Sequence, residues 1–315
     1  MEKNRYLFVH FKEKSTPDGE QVYFGLSRDG FHWEAVNGGN PILWAFHGDK
    51  GVRDCAIARY GDNKFVIAAT DLSLSYGMRN QYRGSWEEIS KNGSPNLAFW
   101  YSDDLVHWSE QTLIPFGEGE MGCRWAPDIT YDRKNGDYII HFSASHKSNN
   151  YGPKAIYYSR TSDFVHFTEP KEFFRFEDGE VIDSAIAESD GVYYLFLKAG
   201  GNVNHNILMK SNELMGPYER MPEFDAEMER IQIGMYEAAA VYQLSDGRWC
   251  VMLDYYGVRG KGQGYVPFVA DDIKSGVFLR DDKEFSFPYG FKHGTVLPIT
   301  DEEYERIKSF DFDPD

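Results

Sequence analysis

Five times along this chain an apolar strand is followed by a second strand that closes on a small polar turn and an aromatic residue. The second strands read VYFGLSRDGFHW ending at Trp33, LAFWYSDDLVHW at Trp108, AIYYSRTSDFVHF at Phe167, NILMKSNELMGPY at Tyr218 and YVPFVADDIKSGVF at Phe278. The spacings of 75, 59, 51 and 60 residues between these aromatic ends are too uneven for a solenoid. They suit sheets joined by loops of differing length, the pattern of a β-propeller. The expected fold is therefore all-β: one five-bladed β-propeller over residues 1–315, with no Pro-, Gly- or Ser-rich run dividing it.

A propeller brings the starts of its innermost strands around one axis, so the residues there matter most. Four apolar first strands open on acids, in RDCAIARY, APDITYD, IDSAIAES and YEAAAVYQ. Aligned by these strands, Asp54, Asp128, Asp183 and Glu237 are expected at equivalent positions, approaching the same axis. The first repeat has no such strand in front of it, whereas FKHGTVLPIT near the C-terminus has no partner of its own. Residues His293–Thr300 are thus expected to pair with the N-terminal strand and close the ring, which removes its open edges.

Turn pairs at Asp29-Gly30, Asn135-Gly136, Asp190-Gly191 and Asp246-Gly247 bound the strand runs. Helical periodicity is confined to Ser85–Ile89 and Asp301–Ile307. Residues 72–96 and 219–235 read as long loops, the first carrying Trp86, and loops of that length on a rigid scaffold often carry specificity.

The formal net charge of −17 argues against nucleic acid or an anionic membrane surface as a partner and favours a neutral ligand. Aromatic residues make up 16% of the chain, enough to fill blade cores and still offer flat faces to a ligand. Cys55, Cys123 and Cys250 have neither the number nor the spacing of a disulfide framework or a zinc site, and read as small buried hydrophobes. The N-terminal MEKNRYLFVHF enters strand pattern directly, so a cytoplasmic protein is expected.

The succession RDC, RWAPD, IDSAI, YEAAAVY and KHGTVLP resembles glycoside hydrolase family 43, the five-bladed propellers that include β-xylosidases, α-L-arabinofuranosidases and arabinanases. The resemblance implies Asp54 as general base, Asp183 as the residue that tunes acidity and orients substrate, and Glu237 as general acid of an inverting exo-hydrolase. Its substrates would be short xylo- or arabino-oligosaccharides. The sequence departs from the family pattern after each acid, at Cys55, Ser184 and Ala238-Ala239. An arabinan- or galactan-acting enzyme, or a sugar-binding propeller without catalysis, are the rival readings.

The chemistry has its own logic: a glycosidic bond needs a proton for the leaving oxygen and help for the incoming water, and two carboxyl groups on opposite sides of the sugar supply both. Asp128 and Trp125 are expected to line substrate, Trp125 otherwise serving as blade core. Arg53 and Arg124 each adjoin a key element, to bind a hydroxyl, pair with a carboxylate or sit on a solvated edge. Further pocket candidates are Trp44, Phe46, His47, Tyr236, Tyr255 and Arg259. His293 would face the central channel, where the resemblance implies a His beside water or a cation such as calcium. No cofactor is required by the chemistry, no calcium-type loop is present, and an oligomer is compatible with the sequence.

Overall fold

The computed structural model describes residues 5–12, 16–117, 119–177, 179–231, 236–257, 264–288 and 290–312. Strands dominate, and they fall into sets of four. One sheet runs Trp125–Asp132, Asp137–Ala144, Ala155–Thr161, Lys171–Phe174; the next Gly179–Ser189, Val192–Gly201, Asn206–Ser211, Glu219–Arg220; a third Tyr236–Gln243, Trp249–Tyr255, Gly264–Ala270, Leu279–Arg280. Neighbouring strands within each set are antiparallel, the meander that short polar turns permit.

The remaining eight strands form one continuous sheet made of two such sets. Val52–Tyr60, Lys64–Asp71, Asn96–Ser102 and Thr112–Pro115 make the first. The second contains both ends of the chain: Gly294–Ile299 pairs antiparallel with Arg5–His10, from Ile299 opposite Arg5 to Gly294 opposite His10, and Tyr23–Ser27 and Trp33–Ala35 follow. A single parallel bridge, Gly294 to Cys55, joins the two sets. The leading strands are neighbours in the order Val52–Tyr60, Trp125–Asp132, Gly179–Ser189, Tyr236–Gln243, Gly294–Ile299 and back to Val52–Tyr60. Between the sheets lie separate apolar clusters, for example Val66, Phe99, Phe116, Ile140 and Phe142 between one pair and Phe196, Phe224, Leu253 and Phe268 between another.

The polar turn that recurs in the sequence has a common hydrogen-bond plan. In SRDGFHW the Asp29 carboxylate accepts the Phe31 and His32 N–H groups and the His32 ring Nδ1, at 2.8, 2.9 and 2.7 Å. Asp104 does the same for Val106 and His107, and Asp163 for Val165 and His166. Each turn has the residue after its Asp at positive φ, filled by Gly30, Leu105 and Phe164, at 83°, 71° and 57°. The Ser/Thr-x-Asp spacing thus encodes a side-chain-capped turn that ends a strand.

Both long segments carry helices, at the expected Ser85–Ile89 turn in the first and where only a loop was expected in the second. Residues 72–96 contain the short helices Gly77–Asn80 and Trp86–Asn92, the second capped by Ser85 Oγ, which accepts the Glu88 N–H. Residues 219–235 contain the helix Pro222–Ile231, whose Phe224 and Met228 are buried against Phe196 and Phe278. Loop residues with apolar groups at helical spacing had a core to enter. The helix Asp301–Ser309 carries a capping box between Thr300 and Glu303, and Arg59 grips Glu303 with two nitrogens at 2.8 and 2.9 Å.

Candidate active site

Four leading strands share one irregularity where they start. The ladder skips two residues in each: Asp54-Cys55, Ala126-Pro127, Asp183-Ser184 and Ala238-Ala239. The first skipped residue has left-handed φ every time, at 53°, 50°, 55° and 57°. Such a bulge re-aims the side chains on either side of it, and Asp tolerates the conformation better than most residues. The bulge corrects the expected alignment of the acids. Asp54 and Asp183 are equivalent to Ala126 and Ala238, whereas Glu237 sits one position earlier, level with Arg53, Trp125 and Ile182.

Asp128, two residues past Ala126, is carried away from the others. It lines a separate cavity of about 120 Å³ with Ile57, Ala185 and Thr295, where burial pushes its pKa up to about 7. Its Oδ1 accepts the Ile129 N–H at 2.7 Å.

The remaining acids meet in a pocket of about 370 Å³, within the size range of small-molecule sites. Asp54, Asp183, Glu237, Arg53, Trp125 and His293 all line it. Asp54 is held on both oxygens: Thr70 Oγ1 donates to Oδ2 at 2.9 Å, and His293 Nδ1 lies 3.2 Å from Oδ1. The Thr70 hydroxyl in turn accepts the N–H of Ala126 at 2.8 Å, which ties two bulges together. Asp183 makes a similar tie. Its N–H donates to Ser143 Oγ, and its Oδ2 accepts the N–H of Ala238, the residue after Glu237, both at 3.1 Å.

These surroundings separate the protonation states. Burial alone would raise the pKa of Asp54, but the hydrogen bond and charge of His293, with Arg53 and Thr70, hold it below the usual carboxylate range. Burial raises Glu237 to about 8, with repulsion from Asp183 and Asp254 adding to it. Asp183 is raised to about 6 by burial, with His293 opposing and Asp54 adding to the shift. Burial opposes the charge on His293, yet Asp54, Asp183 and Asp254 outweigh it and lift the imidazole to about 9. Near neutral pH the pocket therefore holds an ionised Asp54 together with a protonated Glu237.

Among the described residues no group of three or more His, Cys, Asp or Glu side chains is placed to hold a metal ion, and His293 Nδ1 faces Asp54 Oδ1.

Other candidates lie elsewhere. Trp44 and Phe46 are 42% and 71% exposed outside the pocket, on a loop turned outward because Gln21 Oε1 accepts the Ala45 N–H and Gln111 Oε1 accepts those of Phe46 and His47. Tyr236 precedes Glu237, so strand alternation sends it to the opposite face, where it packs on Phe268 and on Tyr255, its ladder partner. Arg259 lies outside the described residues. Arg124 is buried and does not line the pocket, donating to the carbonyls of Phe116, Met121 and Gly122, and burial lowers its pKa to about 10.

Several lining residues escaped the sequence reading. Lys292 and Asp254 form a buried ion pair at 2.7 Å on the pocket wall, Asp254 standing opposite Glu237 in the ladder. Lys154, Ser90 and Trp86 also line the pocket, and the Trp86 ring lies 6.2 Å from that of Trp125. The adjacency of Lys292 to His293 was the available signal for the first, and Trp86 was visible only as an aromatic in a long loop.

Arg53 is aimed by a residue behind the pocket. Its guanidinium rests on the Phe11 ring at 4.4 Å and donates to Glu20 Oε1 at 2.9 Å. Buried Glu20 also accepts from Ser73 Oγ and from the N–H groups of Leu74 and Ser75. Removing one partner of a buried pair costs about 3–5 kcal/mol. Glu20→Ala is expected to lose stability in that range by urea unfolding, while Glu20→Gln, which keeps an acceptor, loses less; equal, small losses would show that Glu20 does not organise this wall.

The chain matches, over residues 2–305, the family described as "Probable glycosyl hydrolase domain", a relative of glycoside hydrolase family 43. The chain belongs to this family of probable glycosyl hydrolases related to glycoside hydrolase family 43. It is 26% identical over 214 residues to an α-L-arabinofuranosidase of Bifidobacterium longum subsp. longum, a match taking in 61% of the chain and 19% of that enzyme. The matched segment thus spans about a fifth of that relative's length. Among solved structures, a xylan β-1,4-xylosidase of Bacillus halodurans superposes with a TM-score of 0.63 at 14% identity, over 93% of this chain and 57% of that one. An exo-1,5-α-L-arabinanase from a bovine ruminal metagenomic library gives 0.60 at 16%, over 89% and 94%. At such identities the likeness concerns the fold, and the four-stranded sheets fit the blades of those propellers.

Proposed function

We propose that this chain is a five-bladed propeller, closed by the pairing of its terminal strands, that hydrolyses short pentose oligosaccharides from the end with inversion. The cyclic order of the leading strands supports the architecture. The opposed protonation of Asp54 and Glu237 in one pocket carries the chemistry. Asp54, kept ionised by His293 and Thr70, takes a proton from a water as that water attacks the anomeric carbon. Glu237 gives its proton to the glycosidic oxygen as the bond to the leaving sugar breaks. Asp183 keeps Glu237 protonated by like-charge repulsion and fixes the adjoining peptide through Ala238. The faces of Trp86 and Trp125 and the pocket's charged wall suit a neutral, hydroxyl-rich ring.

Xylose and arabinose release both belong to the proposal because the relatives include an α-L-arabinofuranosidase, an exo-1,5-α-L-arabinanase and a xylan β-1,4-xylosidase. Aryl β-D-xyloside and aryl α-L-arabinofuranoside, with the first-formed anomer followed by NMR, test this reading. Turnover of at least one with inversion is expected; binding of xylose or arabinose without turnover of either aryl glycoside or oligosaccharides would replace it with a sugar-binding module.

The pH profile follows from the same groups. Glu237 acts only while protonated, so kcat/KM is expected to fall as pH rises past about 8. Asp183→Asn removes a negative charge that raises the Glu237 pKa, so this alkaline limb moves to lower pH. A limb that stays in place would mean that Asp183 does not act through Glu237.

A further inference from the structure

The pocket does not end at its rim. Ser90 and Lys154 line it, and both also line an open groove of about 450 Å³ that continues outward past Glu87, Tyr151, Gly200 and Gly201. The groove runs where the strands Gly179–Ser189 and Val192–Gly201 meet, Gly179 standing opposite Gly201 and Glu180 opposite Gly200. Its floor is therefore bare backbone, the arrangement that lets a ligand approach peptide groups closely. Gly179 admits nothing larger, since an added Cβ would lie 1.9 Å from the Gly200 carbonyl oxygen.

The walls alternate in chemistry. Lys154 Nζ pairs with Glu180 Oε2 at 3.1 Å across the junction, both side chains partly exposed. Tyr151 offers its ring, with Lys91 Nζ 5.5 Å from the ring centre. Trp86 stands at the mouth of the pocket, on the same short helix as Glu87 and Ser90. Donors, acceptors, an aromatic face and an exposed backbone floor suit successive neutral hydroxyl-bearing rings. The carboxylates of Glu87 and Glu180 disfavour an acidic glycan.

We infer that this groove binds the sugar units beyond the scissile bond, so that the chain acts on linear neutral oligosaccharides longer than a disaccharide, with Ser90 and Lys154 at the boundary between pocket and groove. The inference rests on the glycosidase reading above. Trp86, supplied by the helix Trp86–Asn92, then contributes to the step from the first to the second sugar.

The test compares kcat/KM on aryl monoglycosides, which fill the pocket alone, with kcat/KM on β-1,4-xylo- and α-1,5-arabino-oligosaccharides of increasing length. The wild type is expected to gain about tenfold for at least one added unit, the equivalent of one modest subsite. Gly200→Gln, which fills the floor, and Tyr151→Ala, which removes the ring, are expected to lower the ratio of oligosaccharide to aryl-glycoside kcat/KM about tenfold. Thermal unfolding of each variant confirms that it is folded. A wild-type rate independent of chain length, or an unaltered ratio in both folded variants, would overturn the groove while leaving the hydrolase intact. No turnover of any of these substrates would overturn the hydrolase reading and the groove with it.

Discussion

Glu237→Gln is expected to lower kcat/KM on an oligosaccharide by about 10²–10⁴-fold, the contribution of a positioned general acid. Gln has nearly the same shape and leaves the Asp183–Ala238 tie in place, so the loss reports the proton rather than the fold. The size of the loss depends on the leaving group. A sugar hydroxylate departs poorly without protonation, whereas an activated phenolate needs little help, so an aryl glycoside is expected to lose much less rate in the same variant. Removing the titrating acid also removes the alkaline limb that Glu237 sets in the wild type. Loss of equal size on both substrates, or an alkaline limb that survives, would assign the proton to another group.

Much of this arrangement could be read from the chain, and the part that could not has a definite cause. The repeated Ser/Thr-x-Asp turns announced where strands end, and Asp29, Asp104 and Asp163 do cap them through the same set of N–H groups. Asp54, Asp183 and Glu237 were visible as acids at strand starts. Their relation to Asp128 was not, because alternation along a strand assumes an unbroken ladder, and each of these ladders skips two residues. A skip of that kind moves Asp128 out of the pocket and brings Glu237 in from a different level. Tyr236 illustrates the same limit: neighbouring Glu237 in sequence places it on the opposite face. The Lys292–Asp254 pair was out of reach for another reason, since its members meet only when the last strands fold together from opposite ends of a long separation.

The site is also a closed electrostatic unit. His293 touches Asp54 and feels Asp183 and Asp254, while Lys292 beside it neutralises Asp254. Cations from the segment preceding the last leading strand, together with Arg53, therefore bear on which of the carboxyl groups is ionised. The burial of the acids supplies the upward pressure on every pKa, and proximity to His293 selects Asp54 as the exception.

Asp54→Asn follows from that selection and is expected to cost about 10³-fold or more in kcat, on aryl glycosides and oligosaccharides alike, because activation of water is needed whatever the leaving group. Asn is the substitution that isolates the chemistry: it tolerates the left-handed φ of 53° that this position requires, and its carbonyl can still accept from Thr70. A second readout separates a base from a residue that merely shapes the pocket. The charge of Asp54 is among the chief influences that keep His293 protonated against burial, so the neutral amide lets the imidazole titrate well below the wild-type value of about 9. Two-dimensional NMR of the histidine rings across pH measures this directly. Retention of more than a tenth of wild-type kcat would remove Asp54 from the role of base, and a His293 titration unmoved by the substitution would show that the pair does not share its charge.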